Sequence, residues 1–236
     1  MSIPKEAFEE IYLELKRKPL ERNEYRNKAG SGITQAFGIV NKRSLPPDYS
    51  RQNWLRPYLY KLLLDFGQKY VDISFNSITV NQNYAADKHR DKNNLGQSFL
   101  VGFGDYTGGR LFIHEGDLSG AHNIQYQPIK TDFSKVLHSV EEFDGERFSL
   151  VYYTFARKGV VPELPPCSVR QEGDQWFFYR GNDKITKKNG LPHPLRGRKK
   201  SSFAKEQTEV EVKFPWKLIK IFENLIGNQR LIVSSS

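Results

Sequence analysis

Three residues of the chain have the types and the spacing of a metal site. His89 and Asp91 lie two positions apart in a polar, turn-like stretch, AADKHRDKNN, and a second histidine, His138, ends a later predicted strand. Residues i and i+2 of an extended segment project to the same side, so His89 and Asp91 can reach one ion. Two imidazoles and one carboxylate can bind one face of an ion and leave the other face open. Because an H-x-D pair also occurs by chance, the prediction depends on His138 approaching it in the fold.

An arginine and a serine follow on the next predicted strand. Arg147 lies nine residues beyond His138, and Ser149 comes two residues later, so both side chains should point to one side of that strand. A guanidinium can bind a carboxylate through two parallel hydrogen bonds. Arg147, with the Ser149 hydroxyl beside it, could therefore hold the far end of a dicarboxylate that chelates the metal. The alternative is a structural ion pair, because Asp144 and Glu146 are near in sequence.

The order of these motifs resembles a known family. H-x-D, then a distant histidine, then R-x-S is similar to the 2-oxoglutarate/Fe(II) dioxygenases, whose core is a double-stranded β-helix. Two segments, NQNYAADKHRDKNNLGQSFLVGFGDYTGGRLFI and HSVEEFDGERFSLVYYTF, most resemble the branch that holds the ten-eleven-translocation and J-binding-protein hydroxylases. The resemblance covers about residues 31–156 and does not extend over the rest of the chain.

The resemblance implies a role for each of the residues already named. His89, Asp91 and His138 would bind Fe(II). Arg147 would pair with the C5 carboxylate of 2-oxoglutarate, and Ser149 would assist it. The implied enzyme is an oxidoreductase that uses O2 and 2-oxoglutarate, releases succinate and CO2, and hydroxylates a substrate C–H bond.

Three residues near the end of the strand before H-x-D are weaker candidates for contacts with 2-oxoglutarate. They are Asn81, Asn83 or Tyr84, which lie on or just after that strand. Ascorbate is a candidate accessory reductant for an enzyme of this kind.

The branch resemblance and the charge distribution together indicate nucleic acid as the substrate. Residues 157–236 carry a net charge of +8 out of +9 for the whole chain, and such a field attracts polyanions. We therefore predict oxidation of a methylated pyrimidine in DNA or RNA, which must be flipped out or single-stranded. Tyr153 stands where AlkB-type repair enzymes carry a second arginine, which disfavours direct dealkylation. The alternatives are a protein or small-molecule hydroxylase, and an inactive nucleic-acid-binding jelly-roll module.

Composition narrows the class of protein. The single cysteine, Cys167, excludes an intramolecular disulfide framework and a zinc site built from several cysteines. The first 18 residues are charged throughout, and no apolar run approaches the length that spans a bilayer. These features predict an intracellular protein, in the cytoplasm or nucleus, that is not secreted and has no membrane partner.

Hydrophobic periodicity predicts helices first and strands afterwards. Helical spacing predicts helices over residues 4–18 and 53–69, with a strand around 33–39 between them. Alternation and turn residues then predict strands over 71–80, 97–103, 110–114, 123–127, 135–140 and 147–155. Many short strands preceded by helices indicate a sandwich or jelly roll with helices packed outside. The resemblance implies a fold that is mainly β (α+β), with a double-stranded β-helix (jelly-roll, cupin-like) core and N-terminal supporting helices.

The last third of the chain differs in character from the core. We predict a dioxygenase domain over residues 1–160 and a basic C-terminal extension over 161–236, packed on the core or forming a small subdomain. Within the extension, residues 175–180 should form an aromatic strand. Residues 184–200, which contain the basic run at 196–200, should form a loop, and Pro215 should open a last helix.

Overall fold

The structure, a computed structural model, describes residues 2–21, 30–42, 45–187 and 189–190. The predicted basic run at 196–200 and the helix predicted from Pro215 lie outside the described residues. The helices are α1 (Glu9–Arg17), α2 (Gln52–Leu55) and α3 (Pro57–Tyr70). The strands are β1 (Gly30–Val40), β2 (Asp48–Tyr49), β3 (Ser77–Ala86), β4 (Asn94–Gly108), β5 (Leu111–Ile113), β6 (Gly120–His122), β7 (Ile129–Thr131), β8 (His138–Val140), β9 (Phe143–Phe155), β10 (Cys167–Glu172), β11 (Gln175–Arg180) and β12 (Asp183–Ile185).

The two predicted helical regions are confirmed, with one difference in each. The first begins as a 3-10 turn over Lys5–Phe8 and continues as α1. The second is split into α2 and α3 at Arg56, whose backbone has φ −137° and ψ 56°. Pro57 follows, and the ring of a proline pushes the preceding residue out of the helical region. The sequence contained this signal, and the prediction of one continuous helix missed it.

Two antiparallel sheets face each other and form the predicted double-stranded β-helix. The major sheet has the strand order β2-β1-β3-β9-β4-β7, and the minor sheet has the order β6-β5-β8. An antiparallel bridge between His89 and His138 adds the segment after β3 to the edge of the minor sheet at β8. The predicted jelly-roll architecture is therefore confirmed, because strands distant in sequence alternate between the two sheets.

The major sheet separates two hydrophobic layers, and the alternation of β9 shows how. Phe148, Leu150 and Tyr152 belong to the main core, where the helices pack on the outer face of the sheet. Arg147 and Ser149, which alternate with these residues along the strand, line a cavity on the other side. A strand sends successive side chains to opposite faces, so this one sequence supplies both the packed core and the polar site.

Three of the predicted strands differ from the structure, and the one predicted over 135–140 begins only at His138, the first residue of β8. Residues 123–127 do not form a strand: Gln125 makes a single bridge to Gly102, and Tyr126 has a positive φ of 58°. The Asn123 side chain accepts a hydrogen bond from the Gln125 N–H at 3.0 Å, a local turn that competes with strand pairing. The predicted strand over 71–80 begins only at Ser77, the first residue of β3.

A third sheet, β10-β11-β12, contains the predicted aromatic strand at 175–180. The loop predicted over 184–200 is wrong at its start, because Lys184 and Ile185 pair with β11 as part of β12. Phe178 of β11 is fully buried, and its ring centroid lies 5.4 Å from that of Tyr49 and 6.1 Å from that of Tyr60. These described residues of the C-terminal region thus share the main core, while the domain division at residue 160 stays a prediction. No helix in the described part of the chain is long and apolar enough to cross a membrane.

Candidate metal centre and anion pocket

The two histidines and the aspartate of the predicted triad come together between the sheets. The nitrogen and oxygen atoms that His89, Asp91 and His138 can offer to an ion lie within 4.8 Å of one another. Two backbone hydrogen bonds hold the histidines side by side, because the N–H of each donates to the carbonyl of the other histidine at 3.0 Å. The Asp91 N–H donates to the Phe133 carbonyl at 2.9 Å, which fixes the third member against the loop before β8. The predicted convergence is thus observed.

Both imidazoles are oriented so that the same nitrogen faces the centre of the triad. His89 Nδ1 lies 2.7 Å from the Asp87 carbonyl, and His138 Nδ1 lies 3.0 Å from the Val136 carbonyl. A carbonyl only accepts hydrogen bonds, so Nδ1 carries the proton and the Nε2 lone pair remains available. Metal-binding histidines are oriented by the same kind of hydrogen bond. The donor set therefore fits a divalent transition metal such as Fe(II), which two imidazoles and a carboxylate suit.

The two imidazoles differ in their electrostatic surroundings. A hydrogen bond to Asp91 raises the pKa of His89, and the Nε2 to Oδ1 distance is 3.5 Å. Burial lowers the pKa of His138, whose residue is only 6% exposed. The carboxylate thus favours a positive charge, a proton or a metal ion, on the His89 side of the triad.

Arg147 projects into the same cavity from β9 and is only 2% exposed. Its Nε donates to the Gly109 carbonyl at 3.2 Å, and its guanidinium carbon lies 5.6 Å from the ring centroid of Tyr106 and 5.5 Å from that of Phe143. Burial lowers the pKa of this guanidinium. Two aromatic rings and a backbone carbonyl therefore position the cation without neutralising it.

Arg147 has no ion pair with a carboxylate in the part of the chain that the structure describes. The neighbouring Glu146 points to the opposite side of β9, where it accepts hydrogen bonds from Tyr12 and Lys16. The alternative of a structural ion pair with Glu146 is therefore not what the fold contains. A buried charge without a counterion is costly, and an anionic ligand would relieve that cost.

The Gly108-Gly109 step makes room for this arginine. Gly109 has φ +62°, and a Cβ atom built on it would lie 2.9 Å from both Cδ and Nε of Arg147. A real side chain does not approach other atoms so closely, so glycine at this position allows the arginine stem to pass. Gly109 therefore has a steric role in the cavity, because it leaves space for the side chain of Arg147.

The three weaker candidates are placed differently from one another. Asn81 lines the cavity, and its Nδ2 donates to Ser149 Oγ at 3.1 Å across the β3–β9 pair. Tyr84 also lines the cavity, and its carbonyl lies 3.5 Å from an amino group of Arg147. Asn83 instead holds the backbone, because its Oδ1 accepts the Arg147 N–H at 2.8 Å and its φ is 48°. Asn81 and Tyr84 can therefore meet a bound ligand, whereas Asn83 supports the strand.

The cavity that joins these groups has a volume of about 270 Å³. Further lining residues that the sequence analysis did not single out are Thr34, Thr79, Asn94 and Phe133. Asn94, the last residue of the turn-like stretch AADKHRDKNN, begins β4, and its side chain donates to Asp91 Oδ2 at 3.0 Å. An Asn three residues after a ligand is too common a pattern to identify such a contact.

Comparison with protein-family models and with curated proteins finds no match. Similar solved structures include NgTET1 in complex with 5mC DNA, which is 20% identical, with 68% of this chain and 71% of that chain covered and a TM-score of 0.45. They also include an oxidoreductase of the 2OG-Fe(II) oxygenase family from Burkholderia pseudomallei, 17% identical, with coverages of 66% and 82% and a TM-score of 0.45. A Pseudomonas putida prolyl-4-hydroxylase is 14% identical, with coverages of 66% and 91% and a TM-score of 0.41. The second of these structures is named as a member of the family that the motifs resemble.

Proposed function

We propose that the chain is a 2-oxoglutarate/Fe(II)-dependent oxygenase, an oxidoreductase. One observation carries the proposal: the buried and unneutralised guanidinium of Arg147 shares a cavity with the converging ligand atoms of His89, Asp91 and His138. A metal site alone fits many functions. A metal site with a buried cation beside it fits an acid that chelates the ion at one end and carries a second carboxylate at the other.

Each residue has a defined task in this proposal. His89, Asp91 and His138 would hold Fe(II), which when bound supplies the activation of O2 that oxidises a C–H bond. Arg147 would bind the C5 carboxylate of 2-oxoglutarate, and its fixed position sets the reach of that acid toward the triad. Ser149 and Asn81 form a hydrogen-bonded pair whose remaining capacity faces the cavity beside Arg147.

The test is iron-dependent conversion of 2-oxoglutarate to succinate, compared between the wild-type chain and Arg147→Ala. A charge-assisted hydrogen bond contributes about 1.5–3 kcal/mol, so the variant should need at least roughly tenfold more 2-oxoglutarate. Arg147→Lys keeps the charge but cannot form two parallel hydrogen bonds. Its requirement for 2-oxoglutarate should therefore lie between those of the wild type and Arg147→Ala. Metal affinity should be the same in all three proteins, which separates loss of the acid site from loss of the fold. An unchanged KM for 2-oxoglutarate in Arg147→Ala contradicts the assignment.

For the substrate, we propose a methylated pyrimidine in nucleic acid. Two features support this: the resemblance of residues 81–113 and 138–155 to the methylpyrimidine hydroxylase branch, and the net charge of +8 over residues 157–236. A base in a duplex would have to leave the stack to reach a cavity that lies between two sheets.

Mass spectrometry of nucleosides tests the substrate directly. Methylated DNA and RNA are incubated with the protein, Fe(II) and 2-oxoglutarate, and an oxidised methylpyrimidine is the expected product, absent with His138→Ala. Binding to the same nucleic acids should weaken steeply as salt concentration rises. Succinate formation without any oxidised nucleoside, and without nucleic-acid binding at low salt, would favour a protein or small-molecule substrate instead.

A further inference from the structure

Asn94 makes a contact that neither the motif nor the proposed function explains. It lines the cavity of the metal triad and is the first residue of β4. Its Nδ2 lies 3.0 Å from Asp91 Oδ2 and 3.1 Å from Ser98 Oγ. A carboxylate oxygen only accepts hydrogen bonds, so the amide nitrogen, not the amide oxygen, must face Asp91. Both protons of Nδ2 then have acceptors.

The two oxygens of Asp91 therefore have different surroundings. Oδ2 is bound by the Asn94 amide, whereas Oδ1 lies 3.5 Å from His89 Nε2, the ligand nitrogen of the triad. The hydrogen bond from the fixed amide uses one lone pair of Oδ2 and sets the orientation of the carboxylate, with Oδ1 beside His89. Oδ1 is thus the inner oxygen, next to the triad, and Oδ2 is the outer oxygen, bound by the amide.

We propose that Asn94 is a positioning residue that reserves Oδ2 of Asp91 for a hydrogen bond and leaves only Oδ1 to bind a metal ion. The inference rests on the proposed function, because it concerns how the same site holds its metal. An ion bound by two imidazoles and one oxygen keeps its remaining positions open for a chelating acid and for O2. A carboxylate bound through both oxygens would occupy one of the positions that the reaction needs.

The surroundings of Asn94 are rigid enough for this role. Ser98 is fully buried, and the Asn94 backbone N–H donates to the Asp91 carbonyl at 3.1 Å. Asn94 also pairs with Phe155 in the β4–β9 ladder, and the adjacent Ala156 N–H donates to the Asn93 carbonyl at 2.8 Å. The amide is therefore fixed to the major sheet at the point where the loop that carries Asp91 joins it.

The experiment compares Asn94→Ala with the matched control Asn93→Ala in the full-length chain, using Co(II) as the probe. Asn93 is exposed and adjacent, so its removal changes the same turn without touching the carboxylate. Calorimetric titration should give a Kd for Co(II) that is about 10–100-fold higher in Asn94→Ala and unchanged in Asn93→Ala. The visible absorption of bound Co(II), whose intensity reports its coordination, should change only in Asn94→Ala. A merely structural role would lower the unfolding temperature of the metal-free protein and leave that spectrum as it is.

Each possible result either supports or overturns the inference about Asn94. Wild-type affinity and spectrum in Asn94→Ala overturn the inference. If that variant does not fold, Ser98→Ala removes the second anchor of the amide and should weaken Co(II) binding in the same direction by a smaller factor; an unchanged affinity overturns the inference. Co(II) binding that is absent in the wild type, or that survives His138→Ala, refutes the proposed metal site and the inference with it. Binding that is lost in His138→Ala but intact in Asn94→Ala refutes the inference alone.

Discussion

At the scale of single residues, the site combines charged groups that are not fully neutralised by an oppositely charged neighbour in the described part of the chain. Arg147 is a buried cation without a carboxylate partner among the described residues, and Asp91 is an anion whose inner oxygen faces an imidazole nitrogen. Each group is held by neutral hydrogen-bond partners, the Gly109 carbonyl for the arginine and the Asn94 amide for the aspartate. Such an arrangement costs folding stability and is the expected state of a site built to receive charged ligands.

The difference between the two imidazoles predicts how metal binding depends on pH. The pKa of His89 is raised and that of His138 is lowered, so on acidification His89 gains a proton first and His138 stays neutral. A protonated imidazole cannot bind a metal, so affinity should fall as pH falls. As the pH falls through the raised pKa of His89, and before it reaches the lowered pKa of His138, log Kd for Co(II) should rise with a slope near one proton per ion, read by calorimetry.

Two other profiles would contradict this reading of the site. A flat profile would mean that imidazoles are not the ligands. A slope near two that starts just below neutral pH would mean that both histidines titrate alike. Circular dichroism at each pH serves as the control that the fold persists.

At the scale of elements, one ion pair joins the three loops that carry or precede the ligands. Arg90, between the two residues of the H-x-D pair, donates to both Glu115 carboxylate oxygens, at 2.6 and 2.8 Å. Its Nε also donates to the Lys135 carbonyl at 3.0 Å, and Glu115 accepts the N–H of Leu137, the residue before His138. Because the ion pair is exposed, it contributes little to the free energy of unfolding. Its effect is to hold the three loops in position.

Removing this pair should loosen the metal site without unfolding the protein. Arg90→Ala should weaken Co(II) binding by roughly tenfold, because the segments that orient His89 and His138 lose their common partner. The matched control is Arg110→Ala, since Arg110 forms a similar exposed ion pair with Glu141 at 2.7 Å. That pair does not contact the H-x-D segment or Leu137, the residue before His138. Equal Co(II) affinities for the two variants would show that the Arg90 pair does not position the ligands.

At the scale of the whole molecule, the C-terminal sheet is part of the structure that supports the site. Phe178 of β11 packs among Tyr49, Trp54 and Tyr60, with a ring-centroid distance of 6.2 Å to the tryptophan. These partners come from the N-terminal part of the chain and border the major sheet that carries Arg147. The described residues of the C-terminal region therefore pack on the core.

This packing predicts a large effect of one substitution far from the cavity. Phe178→Ala should lower the free energy of unfolding by about 3–5 kcal/mol, because it leaves a void among aromatic rings. Phe177→Ala, one residue earlier on the half-buried face of the same strand, is the control and should cost clearly less. Urea unfolding measures both. A cost for Phe178→Ala as small as that of the control would mean that β11 is not part of the cooperative core.

Local sequence was sufficient for the features that depend on one element. The alternation of β9 alone predicted that Arg147 and Ser149 face one side, and the spacing of H-x-D alone predicted that His89 and Asp91 point to a common place. Both predictions succeed because side-chain direction is fixed by a period of two along the strand. The double-stranded β-helix was instead implied by the family resemblance, and it is what the sheets show.

Tertiary structure alone decided which distant groups meet. That His138 pairs with His89, that Asn81 meets Ser149, and that Tyr12 reaches Glu146 all depend on how elements far apart in the chain approach one another. The break at Arg56 was readable from Pro57, but the local turn that replaces the strand at 123–127 was not. Periodicity encodes the face on which a residue lies, and only packing encodes which residue of another element lies opposite it.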